Sequence, residues 1–123
     1  MSCIFCEFQK SDKVVFENEL AYAIMDGFPV NVGHMLIIPK RHVETYFDVS
    51  KEEATAMYEL ALQAKEYLTE KYHPDGFNIG LNCGEYAGQT VMHCHMHIIP
   101  RYKGDVEKPR GGVRNIIKSI SEY

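Results

Sequence analysis

No apolar run in the chain approaches the roughly 18 residues that a helix needs to cross a bilayer, so nothing in the sequence predicts a membrane span. The N-terminus also lacks the basic, apolar, small-residue pattern of a secretory signal. With only four cysteines in 123 residues, that absence predicts a reducing compartment and a cytoplasmic protein. Positive charge is in deficit: 13 lysines and arginines stand against 17 acidic residues, for a net charge of −4. Such a balance argues against general affinity for nucleic acid. Internal repeats and low-complexity segments are missing as well. What the chain does have is a hydrophobic fraction of 46%, enough for one domain with its own core at this length but not for two.

Residues 14–17 and 20–25 flank Asn18-Glu19 and predict a hairpin, which Asp26-Gly27-Phe28-Pro29 then breaks. Residues 34–38 form a continuous apolar run suited to a central strand, and Pro39 ends it. Ser50 followed by Glu53 reads as a capping box opening a long helix. Its predicted apolar stripe is Ala54, Met57, Tyr58, Ala61, Ala64 and Leu68, with Glu52, Glu59, Gln63, Glu66 and Glu70 opposite. Pro74 and Gly76 stop the helix. Phe77, Ile79 and Leu81 then alternate with Asn78, Gly80 and Asn82, as in a strand buried on one side. A glycine-containing loop over residues 83–90 follows. After Tyr102 the chain becomes polar, and residues 115–120 suggest a short helix. The expected architecture is α+β: a single antiparallel sheet, one long helix and a short C-terminal helix. It divides into a domain over residues 1–105 and a tail over residues 106–123.

The most informative stretch is His93-Cys94-His95-Met96-His97-Ile98-Ile99. Its alternation predicts a half-buried strand, with Met92, Cys94, Met96 and Ile98 facing a core and the three imidazoles facing the other way. One metal ion cannot collect all three histidines. On a straight strand His93 and His97 lie about 13 Å apart at ~3.3 Å per residue, whereas Zn–N bonds are about 2.0–2.1 Å. What remains is a row of imidazoles with divided roles near neutral pH. Strands joined by a loop such as 83–90 usually pair antiparallel. The pairing brings Asn82 near the histidines and leaves room for a ligand over Gly80.

This histidine pattern, with Gly88-Gln89-Thr90-Val91 before it, resembles the signature of the histidine triad (HIT) nucleotide hydrolases and transferases. The likeness extends to Cys3-Ile4-Phe5-Cys6, to Met25-Asp26 and to Gly33-His34-Met35-Leu36-Ile37-Ile38-Pro39-Lys40-Arg41-His42. It implies that His95 is a nucleophile forming a nucleotidyl-histidine at the α-phosphate and that His97 contacts the phosphate or leaving group. Asn82, Gln89 and Thr90 match positions that bond phosphate oxygens, and Gln89 is counted with the catalytic set. Asp26 matches the acceptor of the ribose hydroxyls, where a carboxylate is effective. Phe5, Phe8 and Ile24 match the walls of a base pocket, although plain core packing explains them equally well.

By the same resemblance, which extends to galactose-1-phosphate uridylyltransferases, Cys3, Cys6, His42 and His93 form a closed, structural Zn2+ site with one ion per chain. Cys83 and Cys94 read as ordinary thiols, and His73 and His34 as structural or surface residues, with His34 placed to edge the pocket. Arg110-Gly111-Gly112-Val113-Arg114 is similar to a C-terminal element of bacterial members related to dinucleoside polyphosphate hydrolases, and Pro100-Arg101 points the same way. Read by composition alone, that segment is a solvated tail.

The resemblance thus implies a homodimeric hydrolase of dinucleoside polyphosphates or related nucleoside 5′-phosphate derivatives, releasing a nucleoside monophosphate. A nucleoside phosphoramidase or nucleotidyltransferase would use the same His95 intermediate. A non-catalytic zinc-stabilised nucleotide-binding module would show binding without an adduct. A Cys-x-x-Cys thiol oxidoreductase would require Cys3 and Cys6 to cycle as a disulfide.

Overall fold

The computed structural model describes residues 3–118. A one-and-a-half-turn helix α1 (Ile4–Phe8) precedes strands β1 (Val14–Glu17), β2 (Ala21–Met25) and β3 (Met35–Pro39). The long helix α2 (Lys51–Tyr72) then leads to β4 (Gly76–Gly80) and β5 (Met96–Arg101). All pairings are antiparallel, and the sheet order is β1-β2-β3-β5-β4. The sheet is completed by inserting β5 between β3 and β4, which is how a late segment of the chain comes to lie in its interior.

Alternation along the strands supplies each face of the sheet with its own core. Ala21, Ala23, Met35, Ile37 and Ile98 pack against Met57, Leu60, Ala64 and Leu68 of α2. Tyr22, Ile24, Leu36 and Ile38 pack on the other face against Phe5 of α1. The Tyr22 hydroxyl donates to the Phe5 carbonyl and ties α1 to the sheet. His97 pairs with Leu36 on one side and with Gly80 on the other, so it belongs to the α1 face.

The predicted capping box is present: Ser50 Oγ accepts from Glu53 N–H at 3.0 Å, and Glu53 Oε1 accepts from Ser50 N–H at 2.7 Å. The apolar stripe is rotated from the predicted one. Ala56 and Leu60 are buried in place of Ala54 and Ala61, and Tyr58 is 62% exposed. The reason is Glu53, buried at the head of the stripe because Arg41 meets its carboxylate through Nε and Nη2 at 2.9 and 2.8 Å. That pairing holds Glu53 down at about 2, with the Ser50 hydrogen bonds opposing its burial. The helix ends at Tyr72, and His73 takes the left-handed conformation with φ of 55° just before Pro74.

Two further expectations need correction. The hydrogen-bonded ladder of β5 begins at Met96, so His93 and His95 lie ahead of the strand. There the chain turns aside to other partners, with Cys94 N–H donating to Val43 O at 2.7 Å. Cys94 and Ile98 are buried as predicted, but Met92 is 39% exposed, because the alternation does not extend back that far. In the tail, the described residues 115–118 form no helix; a short 3-10 turn lies at Gly112–Arg114 instead. Residues 119–120 of that predicted helix lie outside the described residues. Among the described residues no helix is long and apolar enough to cross a membrane.

Candidate active site and metal cluster

On the α1 face a cleft of about 380 Å³ opens, lined by Phe5, Phe8, Ile24, Asp26, Thr90, His95 and His97, among others. The structure thus brings together seven of the residues predicted for the nucleotide site, Phe8 among them. His95 is buried with its ring edge-on to Phe5 at 4.9 Å between centroids, and 5.1 Å from His97. Its Nδ1 lies 2.8 Å from the carbonyl oxygen of His93. A carbonyl can only accept, so Nδ1 carries the hydrogen and Nε2 keeps its lone pair.

His97 is set by a second chain of contacts. Val30 N–H donates to His34 Nδ1 at 3.1 Å, which fixes the hydrogen of neutral His34 on Nε2. His34 Nε2 then donates to His97 Nδ1 at 2.9 Å, with Asp26 Oδ2 at 3.3 Å from the same nitrogen. His97 is left with its hydrogen on Nε2, as a donor to whatever occupies the cleft. The sequence reading set His34 at the edge of the pocket; here it is buried and orients His97. The signal that finds it is Gly33. With φ of 91°, and with a Cβ that would meet Tyr72, Pro100 and Leu68 at 3.0–3.2 Å, this position requires glycine and pins the start of β3 against α2 and β5.

Gln89 and Asn82 depart from expectation. Gln89 is buried with its whole amide engaged: Oε1 accepts from Gly84 N–H, while Nε2 donates to Glu44 O and Val91 O. It braces the 84–91 loop and is not among the residues lining the cleft. Asn82 lies exposed beyond β4 and outside the cleft lining, while Gly80 does pair with His97 and carries no side chain into that space. A second cleft of about 520 Å³ lies between Asn78, Ile99 and Arg101 on one side and Pro109, Gly112 and Asn115 on the other, with Gly112 the lining residue from the Arg110–Arg114 segment. Ile99 and Arg101 share the His97 face of β5, so this second cleft continues the same side of the sheet.

At one end of the histidine row, the ligand atoms of Cys3, Cys6, His42 and His93 all lie within 4.8 Å of one another. Cys3 Sγ is 3.4 Å and Cys6 Sγ 3.5 Å from His93 Nδ1, and the two Nδ1 atoms are 3.1 Å apart. These spacings approximate the edges of a tetrahedron with Zn–S near 2.3 Å and Zn–N near 2.0–2.1 Å. His93 Nε2 donates to Pro39 O at 2.8 Å, so its Nδ1 lone pair is free to face the thiols. The cluster can hold a metal ion. Asp26, His34 and His97 are clustered to the same tolerance, but Val30 N–H occupies the second nitrogen of His34. Its Nε2 is therefore a donor rather than a ligand, and that trio is a hydrogen-bond relay.

Burial, together with His95 and His34 alongside, pushes His97 down to about 4, with Asp26 opposing. His34 is lowered too, by burial, again against Asp26. Both rings are therefore neutral in the folded protein at pH 7. An unfolded histidine takes up its proton near 6.5. The site thus contributes its full stability above that value and loses it as pH falls through about 4. Going from pH 7 to 4.5, wild type should lose about 2 kcal/mol more than His97→Asn, read as the difference in their thermal midpoints. Parallel losses in the two proteins would show that His97 is not the group responsible.

In this small α+β domain His95 and His97 present one lone pair and one N–H to a mostly apolar cleft. The HIT domain profile matches residues 7–104, and the chain belongs to the HIT family. It is 41% identical over 118 residues to an uncharacterized HIT-like protein of Methanocaldococcus jannaschii, covering 93% of this chain and 91% of that one. It is 39% identical over 98 residues to the bis(5′-adenosyl)-triphosphatase of Dictyostelium discoideum, covering 80% of this chain and 66% of the relative. A crystal structure of a Zn-bound histidine triad family protein from Mycobacterium smegmatis superposes with a TM-score of 0.77 at 36% identity, over 85% of this chain and 78% of that one. The α+β, HIT-like fold expected from sequence is thereby established.

Proposed function

We propose that this chain is a nucleotide hydrolase that cleaves dinucleoside polyphosphates, or related nucleoside 5′-phosphate derivatives, through a covalent nucleotidyl-histidine on His95. The observation that carries the reading is the hydrogen bond from His95 Nδ1 to the His93 carbonyl. It leaves Nε2 ready to attack without a separate base. In the first step Nε2 bonds to the α-phosphorus while the bond to the leaving phosphate oxygen breaks. His97 Nε2–H donates to the oxygen that gains charge. Water then attacks the same phosphorus, the P–N bond breaks, and the nucleoside monophosphate leaves with the imidazole restored. Asp26 accepts from the ribose hydroxyls, Thr90 donates to the phosphate, and Phe5, Phe8 and Ile24 face the base. Gln89 contributes by holding the loop that carries Thr90, and Asn82 reaches the phosphate only if that loop closes. In this reading the Arg110–Arg114 segment serves the far end of a longer polyphosphate, supported by Gly112 lining the second cleft on the His97 side of the sheet.

Cys3, Cys6, His42 and His93 would hold one structural Zn2+, which, when bound, fixes the start of the histidine row and supplies no reactive water. The same reading includes a homodimer. Tyr58, Leu62, Phe77 and Ile79 line an apolar groove beside β4, whose outer edge is unpaired in the sheet.

The test is product analysis with diadenosine tetraphosphate, diadenosine triphosphate and an adenosine phosphoramidate, with sedimentation of the same sample. AMP released fast from a polyphosphate by a dimer is the expected result. AMP from the phosphoramidate alone would transfer the protein to that branch. Tight AMP binding without turnover of any substrate would make it a binding module, and a monomer would remove the dimer.

A further inference from the structure

We propose that Lys13 reads the base in this cleft, and that it gives the site a preference for a 6-oxopurine, guanine or hypoxanthine, over adenine. The inference rests on the cleft being a nucleotide pocket, as argued above.

The argument starts from what remains once sugar and phosphate have their partners. Of the side chains lining the cleft, Asp26, Thr90, His95 and His97 serve those two parts of the ligand. Almost all the others are apolar, with Ile4, Phe5, Phe8, Ile24, Phe28 and Leu36 forming the walls. Walls of this kind hold a base by its faces and do not discriminate among its edges. Lys13 is the remaining lining side chain that carries an N–H group.

Its position is at the far end from the chemistry. From His95 the rings step to Phe5 at 4.9 Å and on to Phe8 at 6.2 Å between centroids, and the Lys13 ammonium lies 5.5 Å from the centre of Phe8. Phe5, Phe8 and Lys13 line the same cleft as His95 and Asp26, so they are available to the base of a nucleotide whose phosphorus sits at His95. Among the described residues no carboxylate forms an ion pair with Lys13, so its donors are available to a ligand.

An ammonium group has three donors and no acceptor. It can therefore pair only with acceptors on the base edge. Guanine and hypoxanthine present two adjacent acceptors there, N7 and O6, whereas adenine presents N7 beside an N6 amino group that is itself a donor. A cation facing that edge gains from the first arrangement and is repelled by the second. Lys13 is exposed, so the discrimination falls at the lower end of what such a contact gives, about fivefold.

The experiment is calorimetric titration of GMP, IMP and AMP into the wild type and into Lys13→Met, which keeps an apolar stem over Phe8 while removing the charge. In the wild type GMP and IMP should bind about fivefold tighter than AMP. In Lys13→Met that ratio should collapse through weaker GMP and IMP binding, with AMP held within about twofold. Equal affinities in the wild type, or a preference that survives Lys13→Met, would overturn the inference while leaving the nucleotide pocket standing. IMP behaving like AMP would assign discrimination to the guanine amino group and overturn it equally. Failure of all three to bind would instead remove the pocket reading itself, and this inference with it.

Discussion

His95→Ala should lower turnover by about four orders of magnitude or more, the scale on which removal of a covalent nucleophile acts in enzymes. The fold should survive, because His95 sits at the edge of a cleft and its one recorded hydrogen bond is to a backbone carbonyl. Mononucleotide affinity should change little, since Asp26, Thr90 and the apolar walls remain. His97→Ala should cost less, about a hundredfold, because it removes a donor and not the bond-forming atom. Rapid alkaline quench with α-labelled substrate gives a direct reading: label should stay on wild-type protein through a base-stable, acid-labile P–N bond and be absent from His95→Ala. Turnover within tenfold of wild type in His95→Ala would falsify the covalent route.

Cys3→Ser should have the next largest effect, and on stability. Loss of one of four ligands should drop bound zinc well below one per chain. The thermal midpoint should then fall by about 10–20 °C, corresponding to about 3–5 kcal/mol. That is less than in isolated zinc modules, whose folding depends wholly on the metal, because the sheet and α2 here share a core that the cluster does not touch. Activity should decline as a rise in KM more than a fall in kcat. Cys3 and Cys6 flank Phe5 on α1, and Phe5 and Phe8 line the cleft. Unchanged metal content and midpoint in Cys3→Ser, or in wild type treated with a chelator, would dismiss the metal site.

Elements governed by local chemistry were legible in the sequence. The hairpin before Asp26, the apolar run of β3, the capping box at Ser50 and the antiparallel return from β4 to β5 each follow from neighbours in the chain. The phase of α2 was not legible. Choosing between a stripe through Ala54 and Tyr58 and one through Glu53 and Leu60 requires knowing that Arg41 neutralises Glu53. Helix α1 was missed because five residues cannot hold a helix by propensity; Tyr22 and the packing of Phe5 hold it.

In the site, the row of histidines marked the chemistry plainly, but the division between His95 as lone-pair donor and His97 as hydrogen donor comes from Val30, His34 and a backbone carbonyl. A backbone contact of that kind has no signature in residue type. Gln89 shows the converse: its residue type suggests a phosphate ligand, whereas in the fold its amide is engaged by Gly84, Glu44 and Val91.

The sulfur of Cys3 and the imidazole of His93 meet at 3.4 Å across 90 residues of chain. One wall of the cleft is thus made well before its counterpart, with the long helix α2 translated between them. During translation α1 has neither its metal partners nor, until β2 emerges, the Tyr22 hydroxyl to hold it. The pocket cannot close, and a nucleotide has nothing to bind, until residue 97 is clear of the exit tunnel. Ligand-assisted folding can therefore act only after both walls have been made, however early α1 emerges.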